Sequence, residues 1–447
     1  MPDLDRLTAD LLAAARRAGA EAADVIAADT ASLSIDVRKG ALEHAERSEG
    51  VEIGLRVLMG RRQACVSASD ISPRTMQTMA ERAVAMAREA PEDPGAGLAD
   101  PDQLARDRDM AALELADPAD PLPPAELEDW ARRAEAAALA VKGVSQVQGA
   151  GAGQSRRAIR MAATNGFRGA YERTDTHLSC VAISGDGLAM ERDYAGEGRV
   201  YRADLPSPEE IGALAGDRAA ARAGARKART GAWPVIFDER VAGGLIGHLL
   251  QAVNGTMIAR GSSWARDLLG QPVLPDDLSL IEEPHRCRIG GSRLFDAEGL
   301  PTARRAIVEN GILTGWTLDL ATGRKLGMAS TANAARGLSS PPAPVTGNVT
   351  LTGAAMPRDR MLAELGTGLL VTSMIGSSIN PNTGDYSRGA SGFWVENGEI
   401  GFPVNEITLA GNLRDMLRTL AAADDARPWL GRVVPSLRVE GLVLAGE

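Results

Sequence analysis

The chain has 447 residues, which is too long for one ordinary hydrophobic core and suggests about three compact units of roughly 150 residues each. Hydrophobic residues make up 44% of it and charged residues 24%, a composition that excludes a disordered or fibrous chain. The 49 basic and 59 acidic residues give a net charge of -10, so no broad surface for nucleic acid or for an anionic membrane is expected.

Cysteine usage and the N-terminus predict a cytoplasmic protein. The three cysteines, Cys65, Cys180 and Cys287, are widely separated and form no C-x-x-C pair, so a disulfide framework is not expected. The first residues are amphipathic and include Asp3 and Asp5, unlike a signal peptide. No apolar run is long enough to cross a membrane.

Residues 1–90 predict an N-terminal α/β domain with helices flanking a sheet. Leucines at helical spacing mark a first helix, and the segments VIAAD, SLSIDVRKG, VEIGLRVLMG and RRQACVSASD are typical of strands. A second helix begins with Ser72 as its N-cap and Pro73 as its first residue. We expect its apolar face to lie in the core, because Met fills gaps between a helix and a sheet. That face comprises Met76, Met79, Ala83 and Met86.

A linker rich in Pro and Asp, residues 91–123, leads to a middle α+β domain, residues 124–230. In this domain Asn165-Gly166 predicts a type I′ hairpin. The tract GAGAG, Gly149 to Gly153, lacks the last glycine of a dinucleotide-binding motif, so we interpret it as a plain loop.

The middle domain ends in a helix with a capping box formed by Ser207 and Glu210. Basic residues late in this segment are predicted to form a solvated face that complements the helix dipole, namely Arg218, Arg222, Arg226, Lys227 and Arg229. Residues 231–447 predict a β-rich C-terminal domain with turns at Asn310-Gly311 and Asn397-Gly398. The predicted fold class is therefore α+β.

The sequence offers no self-contained catalytic motif. Its only histidines are His44, His177, His248 and His285, and neither H-E-x-x-H nor G-x-S-x-G occurs. Each histidine by itself is most simply a structural residue.

One helix is unusually rich in glycine. The segment Asp238 to Gly255 has helical apolar spacing with Gly255 as a plausible C-cap, yet it contains Gly243, Gly244 and Gly247. Each interior glycine costs on the order of 1 kcal/mol relative to alanine. Either this helix packs closely against another backbone, or it faces a cavity in which side chains are not wanted.

The same helix belongs to a wider resemblance. The stretch Val235 to Gly255, the segment FDAEGLPT, and above all INPNTGDYSRGASGFWVENGEIGFPVNEITLAGNLRDM are similar to the TldD/PmbA family of metallopeptidase subunits. The resemblance covers essentially the whole chain, including the PSLRVEGLVLAG ending. In that family a TldD-type subunit carries an H-E-x-x-x-H helix and a distant cysteine that together bind a metal.

The resemblance implies that this chain lacks the metal site. Gly243 stands at the position of the first histidine, Gly244 at that of the glutamate, and His248 at that of the second histidine. The distant cysteine would fall near Leu430 and Gly431, where this chain has none. A hydrolytic zinc needs about three protein ligands and a nearby base. We therefore predict no catalytic residues, no metal and no cofactor here, with zinc in the TldD-type partner.

The chain thus resembles the TldE (PmbA) type, a non-catalytic subunit of a heteromeric metallopeptidase that degrades or processes small or unfolded peptides. Two alternatives stay open. The chain could be a metallopeptidase that is active on its own as a homodimer through His248. It could instead be a regulatory protein of the DNA gyrase modulator type that acts through protein partners. We expect no direct binding of nucleic acid or membrane, and the isolated chain could also form a homodimer.

Four further polar residues are candidates, with His248, for lining a cleft or a subunit contact. They are Asn380, Asn382, Asp385 and Arg388. Their alternative role is ordinary turn chemistry. Extended peptides are often held at strand edges, for which Leu369 to Ile375 and Phe393 to Val395 are candidates. We interpret Asp296 and Glu298 as a turn with solvated charges.

Overall fold

The first half of the chain is built from long strands covered by helices in the computed structural model, which describes residues 3–446. Its elements in chain order are α1 (Leu4–Arg17), β1 (Ala22–Arg38), β2 (Ala41–Met59), β3 (Arg62–Ala68), α2 (Pro73–Glu89), α3 (Pro124–Ala140), β4 (Val144–Ala163), β5 (Arg168–Ser184), β6 (Glu191–Arg199) and α4 (Pro208–Ala221).

The strands of the first two predicted domains form one continuous sheet in the order β3-β2-β1-β4-β5-β6. β1 pairs antiparallel with β2 on one side and with β4 on the other, so Asp24 lies opposite both Arg56 and Ala163. VIAAD and most of SLSIDVRKG are parts of this single strand. Backbone hydrogen bonds between β1 and β4 join residues 1–90 to residues 124–230 within this sheet. The division of these residues into two domains therefore stays a prediction.

Alternate residues of β1 point into different cores, as the pleat of a strand requires. Val25 and Ala27 pack with α1 and α2, whereas Ile26 and Ala28 pack on the opposite face. Helices α3 and α4 cover the far end of the sheet and contribute a third core. Both faces of β1 are therefore buried along its first half, which explains its nearly continuous apolar sequence.

Local helix signals in the sequence are confirmed. Ser72 caps α2 by accepting a backbone N–H, and Ser207 forms the predicted capping box at α4. The methionine face of α2 is confirmed only in part. Met76 and Met79 are buried, but Met86 is 42% exposed because its position on the helix turns away from the sheet.

Two local predictions around β4 are wrong. The tract Gly149 to Gly153 lies inside β4 and is not a loop. A methyl group at Gly153 would come within 2.4 Å of the His177 ring, so glycine there admits the neighbouring strand's side chain. The turn at Asn165-Gly166 is not type I′, because only Gly166 has a positive φ, 96°. The side chain of Asn165 instead accepts the backbone N–H two residues on.

Residues 91–123, the connector, follow an ordered path against the C-terminal half of the chain. They contain two short 3₁₀ turns, and Met110 and Leu113 are buried beneath the sheet. Arg324 donates hydrogen bonds to the carbonyl oxygens of Gly95 (3.0 Å) and Leu98 (2.7 Å). The composition predicted an extended segment. Such a segment forms no helix of its own here, and some of its backbone carbonyl groups accept hydrogen bonds from Arg324 of a later helix.

The C-terminal region is rich in strands, as the sequence predicts. Its elements are β7 (Gly231–Phe237), α5 (Glu239–Ala252), α6 (Gly255–Ala259), β8 (Leu278–Glu282), β9 (Arg305–Glu309), β10 (Ile312–Leu313), α7 (Leu320–Leu326), β11 (Ala334–Ala335), β12 (Ala343–Pro344), β13 (Val349–Gly353), β14 (Ala355–Met356), α8 (Arg358–Leu365), β15 (Gly368–Ile379), β16 (Asp385–Glu396), β17 (Glu399–Asn412), α9 (Leu413–Arg418), β18 (Ala421–Ala423), β19 (Arg432–Val433) and β20 (Leu437–Ala445).

Five of these strands close into a ring. β7 pairs with β15, β15 with β16, β16 with β17, β17 with β20, and β20 again with β7. Residues of the ring and of α5 belong to one core, which includes Phe237, Leu249 and Trp394. A second sheet has the order β10-β9-β8-β13-β19. The turns at Asn310-Gly311 and Asn397-Gly398 have positive φ at both residues, which confirms the predicted hairpins.

The two halves of the molecule are joined by a buried arginine. α4 ends at Ala221, and Arg222 is only 7% exposed. Its guanidinium donates to Ser391 Oγ (2.6 Å) and lies 3.6 Å from carboxylate oxygens of Glu191 and Asp193. The prediction of a solvated basic face is wrong at this residue, because β16 covers the end of the helix.

Of the helices that residues 3–446 form, none is both long enough and apolar enough to pass through a membrane.

Candidate functional site

The glycine-rich helix of the sequence is α5, which follows β7 directly. Its N-cap, Asp238, anchors the helix to β15 by donating its backbone N–H to Val371 O (2.9 Å). The helix ends at Ala252, and Gly255 begins α6, so the prediction of a C-cap at Gly255 is wrong. Glycine is required at that position for another reason, since a methyl group there would come within 2.9 Å of Thr317 O.

The glycine face of α5 meets a side chain rather than another backbone. Arg432 lies along it and donates from Nη1 to Gly243 O (2.8 Å). A methyl group at Gly247 would come within 2.8 Å of the same Nη1 atom. At Gly244 nothing lies within 4 Å of such a group, so space remains open there. Close packing against a backbone is therefore not the reason for these glycines.

His248 lies one turn after Gly244 on the same face. Its Nε2 atom is buried and has no hydrogen-bond partner within residues 3–446. Its ring packs edge to face with that of Tyr386, with 5.9 Å between the centroids. Burial, together with the positive charges of Arg388 and Arg432, lowers the pKa of His248 to about 4. The imidazole is therefore neutral at pH 7.

Arg388 reaches this site from β16. Its Nε donates to Gly376 O (2.7 Å), and Tyr386 lies two residues earlier on the same strand. Burial of that phenol raises its pKa to about 12, so Tyr386 stays protonated. Within the part of the chain that the structure describes, neither Arg388 nor Arg432 forms an ion pair with a carboxylate. The positive charges of both arginines act on one neutral imidazole.

The other polar residues of the predicted loop lie at the tip of the β15–β16 hairpin. Asn380 accepts the backbone N–H of Asn382 (3.0 Å), and Asp385 accepts hydrogen bonds from Thr383 Oγ1 (2.6 Å) and Asn412 Nδ2 (3.0 Å). The bond from Thr383 is the main cause that lowers the pKa of Asp385. These are local hydrogen bonds of the kind that stabilise a turn. The structure therefore brings His248 and Arg388 together, and it leaves Asn380, Asn382 and Asp385 at the exposed tip.

One of the two candidate strand edges is wrong. Phe393 to Val395 lies inside the ring sheet, paired with both β15 and β17. The other candidate is an edge only in its second half. Leu369 to Val371 pairs with β7 on its outer side, whereas from Ser373 to Ile379 the strand pairs only with β16 among the described residues. This second half is the free edge of β15.

The residues on α5 do not fit a catalytic zinc. Such a zinc needs about three nitrogen, sulfur or oxygen ligands and a carboxylate to accept the proton of water. Gly243 and Gly244 supply no donor atom, and the guanidinium of Arg432 lies against the same turn of helix. A positive charge there repels a metal cation. Within residues 3–446, no three His, Cys, Asp or Glu side chains are grouped so that they could hold a metal ion.

A cavity of about 410 Å³ opens next to α5, between β5, β6 and the segment before β19. Leu430, close to where the family's distant cysteine would fall, lines this cavity. The arginines of its wall are partnered, since Arg427 lies 3.3 Å from Glu197 and 2.6 Å from Glu239. The segment in which the family's distant cysteine would fall does approach α5. The contact is made by Arg432, the residue that follows Gly431.

The prediction for Asp296 and Glu298 is wrong, because these carboxylates are 1% and 9% exposed. Asp296 accepts three backbone N–H groups, and Glu298 accepts the N–H of Leu320 (2.8 Å). Burial, reinforced by the charge of Asp296, raises the pKa of Glu298 to about 8. Phe295 packs edge to face on Phe167, so the sheet covers the turn that the sequence placed in solvent.

The remaining histidines have other neighbours. His44 and His177 are half-exposed beside Glu46 and Asp175, and His285 Nε2 is 3.0 Å from Thr302 Oγ1. Arg432 is the site residue that sequence reasoning missed. The one signal in the sequence that could have indicated Arg432 is its position next to Leu430 and Gly431, where the family's distant cysteine would fall.

Comparison with known proteins gives the class of this fold and site. Three family profiles match consecutive parts of the chain: PmbA/TldA metallopeptidase domain 1 over residues 23–87, the central domain over residues 117–226, and the C-terminal domain over residues 230–446. Metalloprotease PmbA of Escherichia coli O157:H7 is 39% identical over 401 residues, covering 90% of this chain and 86% of that one. The Metalloprotease PmbA homolog of Haemophilus influenzae is 39% identical over 440 residues, covering 97% and 94%. The chain belongs to the PmbA/TldD family.

Solved structures confirm the α+β fold. A Bacteroides thetaiotaomicron protein described as a modulator of DNA gyrase superposes with a TM-score of 0.91 at 25% identity, covering 99% of each chain. TldE from Thermococcus kodakarensis superposes with a TM-score of 0.84 at 18% identity, covering 98% of this chain and 100% of that one.

Proposed function

We propose that this chain is the non-catalytic, TldE-like subunit of a heteromeric metallopeptidase. A TldD-type partner would hold the zinc and cleave small or unfolded peptides, and this chain would complete the peptide-binding cleft. The observation that carries the proposal is the guanidinium of Arg432 lying on the glycine face of α5, at the turn where a metal-binding helix would present its ligands.

Two properties of the site support this role. His248 is the one remaining metal-type donor on this face of α5, and its positive neighbours disfavour a second cation beside it. β15, to which α5 is anchored at Val371, has a free edge further along that offers unpaired backbone groups of the kind that hold extended peptides. The chain thus has features of a surface that binds peptides, but it lacks the residues that would activate a water molecule to cleave them.

We also place the complex in the cytoplasm. The support is that all three cysteines are free, with Cys65 and Cys180 out of contact with each other in different parts of the sheet.

The test is co-expression of this chain with a TldD-like protein from the same genome. We expect the two chains to co-elute on size exclusion and to cleave an unfolded peptide, with zinc found by metal analysis only when the partner is present. The matched variants are His248→Ala in this chain and a substitution of the first metal-binding histidine in the partner. Only the latter should abolish cleavage.

Other results would contradict the proposal. Separate elution at micromolar concentration, with no gain in cleavage, would argue against a heteromeric enzyme. Stoichiometric zinc in the isolated chain, with cleavage lost in His248→Ala, would establish the homodimeric metallopeptidase instead. A salt-sensitive shift of DNA on a gel would favour the regulatory role, against which the net charge of -10 weighs.

A further inference from the structure

A groove crosses one face of the N-terminal sheet between its two pairs of helices. On this face α1 and α2 pack on Val25 and Ala27 of β1. Further along the same strand, α3 and α4 pack with Ile35 and Val37. These four residues and Ala31 share a face, because side chains alternate along a strand. Ala31 lies between the two cores and is only half-buried, so the helices leave a strip of the sheet uncovered.

This strip is the floor of a cavity of about 280 Å³. Ala31 and Leu33 line it from β1, which is paired with β2 on one side and with β4 on the other. The opposite wall consists of connector residues between Asp117 and Leu122, together with Pro124 at the start of α3. None of the described residues of α5 lines it, so the groove is separate from the glycine-rich helix.

Side-chain hydrogen bonds fix the wall of the groove to the sheet. The Gln154 amide accepts from the backbone N–H of Leu122 (2.8 Å) and donates to the carbonyl oxygen of the same residue (2.7 Å). Asp117 accepts the backbone N–H of Arg202 (2.9 Å), and its own N–H donates to Thr174 Oγ1 (2.8 Å). The groove is therefore formed before any ligand arrives, which reduces the entropy lost on binding.

The charged side chains at the rim of the groove already have partners. Arg47 Nε donates to Glu49 (2.7 Å), and Arg156 lies 2.5 Å from a carboxylate oxygen of β5. Arg202 donates to the carbonyl oxygen of Asp120 (3.3 Å), a wall residue of the opposite charge. A charged ligand would lose its hydration here without gaining a free counter-charge, so the groove favours an uncharged molecule.

One polar group of the groove lacks a partner. Thr176 lines the cavity from β5 and is only 6% exposed, and its hydroxyl has no hydrogen-bond partner among residues 3–446. A buried hydroxyl without a partner costs free energy that a ligand can restore. We propose that this groove binds a small uncharged molecule with an apolar body of about two fused rings and one hydroxyl or amide group that bonds to Thr176. This inference does not rest on the proposed function.

Fluorescence titration of the isolated full chain with three naphthalenes of similar size tests the inference. The probes are 2-naphthol, 2-methylnaphthalene and 2-naphthoate. We expect 2-naphthol to bind at one site, about fivefold more tightly than 2-methylnaphthalene, because it can exchange a hydrogen bond with Thr176. The carboxylate of 2-naphthoate must be desolvated, so this probe should bind most weakly.

Two kinds of variant locate the site. Thr176→Val should abolish the preference for 2-naphthol and leave the affinity for 2-methylnaphthalene unchanged, whereas Thr176→Ser should retain the preference. Ala31→Phe should fill the groove and weaken the binding of both probes at least about tenfold. The matched control is Ser48→Phe, which changes an exposed residue of β2 outside the lining.

Four results would overturn the inference: no saturable binding of any probe, equal affinity for all three, a preference that survives Thr176→Val, or unchanged binding in a folded Ala31→Phe variant. Circular dichroism checks the folding of each variant. If Ala31→Phe does not fold, the comparison of Thr176→Val with Thr176→Ser still decides. None of these measurements involves peptide cleavage or a partner subunit, so the proposed function is judged separately.

Discussion

At the scale of single residues, Arg432 and His248 show how a helix can carry one potential metal ligand in surroundings that disfavour a cation. The imidazole remains on the helix, but its neighbours are cations rather than ligands to a cation. Protonation of the ring would add a third positive charge to a partly buried cluster. Burial, together with these positive neighbours, keeps the imidazole neutral.

The first prediction concerns the pKa of His248. Because the folded-state pKa is lowered to about 4 from the ordinary 6.5, the ring should stay neutral in the folded protein as the pH falls from 7 to 5. The unfolded chain takes up a proton near pH 6.5, so stability should be lost as the pH falls from about 6.5 to about 4. Removing the charge in Arg432→Gln should raise the pKa toward the ordinary value of 6.5. Long-range ¹H–¹⁵N NMR spectra of the ring nitrogens measure this, with Arg260→Gln as the control. An unchanged titration in Arg432→Gln would contradict the assignment.

The second prediction concerns Glu298. Its pKa is raised to about 8, so the folded state retains a proton that the unfolded chain loses near pH 4.5. Stability should therefore fall as the pH rises from about 4.5 to 8, by more than about 1.4 kcal/mol, the free energy of one pKa unit. Glu298→Gln should flatten this dependence in thermal unfolding curves. The exposed Glu89→Gln serves as the comparison, and parallel pH curves for wild type and Glu298→Gln would refute the prediction.

At the scale of elements, the glycines of α5 are not equivalent. Gly244→Ala places a methyl group in open space and should stabilise the helix by about 1 kcal/mol through its intrinsic propensity. Gly247→Ala has the same propensity gain but must displace the Arg432 guanidinium from the helix. We expect a smaller gain or a loss. Urea unfolding of the two variants makes the comparison, and equal stabilisation of both would show that the arginine does not hold this position.

Another element-scale prediction concerns the junction between α4 and β16. Arg222→Met removes a buried cation and leaves Glu191 and Asp193 with one partner fewer, which should cost about 3 kcal/mol. The exposed Arg229→Met should be nearly neutral. Thermal unfolding measures the difference between them. If both variants melted alike, the junction would not depend on this ion pair.

At the scale of the whole molecule, the shared sheet predicts that the chain tolerates a cut in the connector. A protease site inserted between Ala119 and Asp120, both exposed, should give two fragments that co-elute, because β1 in one fragment pairs with β4 in the other. Size exclusion of the cut protein, without and with denaturant, provides the measurement. Fragments that separate in native buffer would show that the two parts fold independently.

The sequence predicted what is encoded locally and missed what distant segments decide. Ser72 and Ser207 cap their helices as expected, because a cap depends on residues three positions apart. The pairing of Asp24 with Ala163, the burial of Glu298 and the contact of Arg432 with α5 each join segments far apart in the chain. The glycines at positions 243 and 244 were aligned with the metal motif through the family resemblance. The position of Arg432 beside them could not be predicted from the sequence.

The central place of β1 also has a consequence for synthesis on the ribosome. β1, β2 and β3 can pair as soon as they emerge, but the other edge of β1 must wait for β4, whose last residue is Ala163. At roughly 5–20 residues per second, that edge stays exposed for several seconds. During this interval the nascent protein presents an apolar, unpaired strand, so its yield in the cell should depend on chaperones that shield such edges.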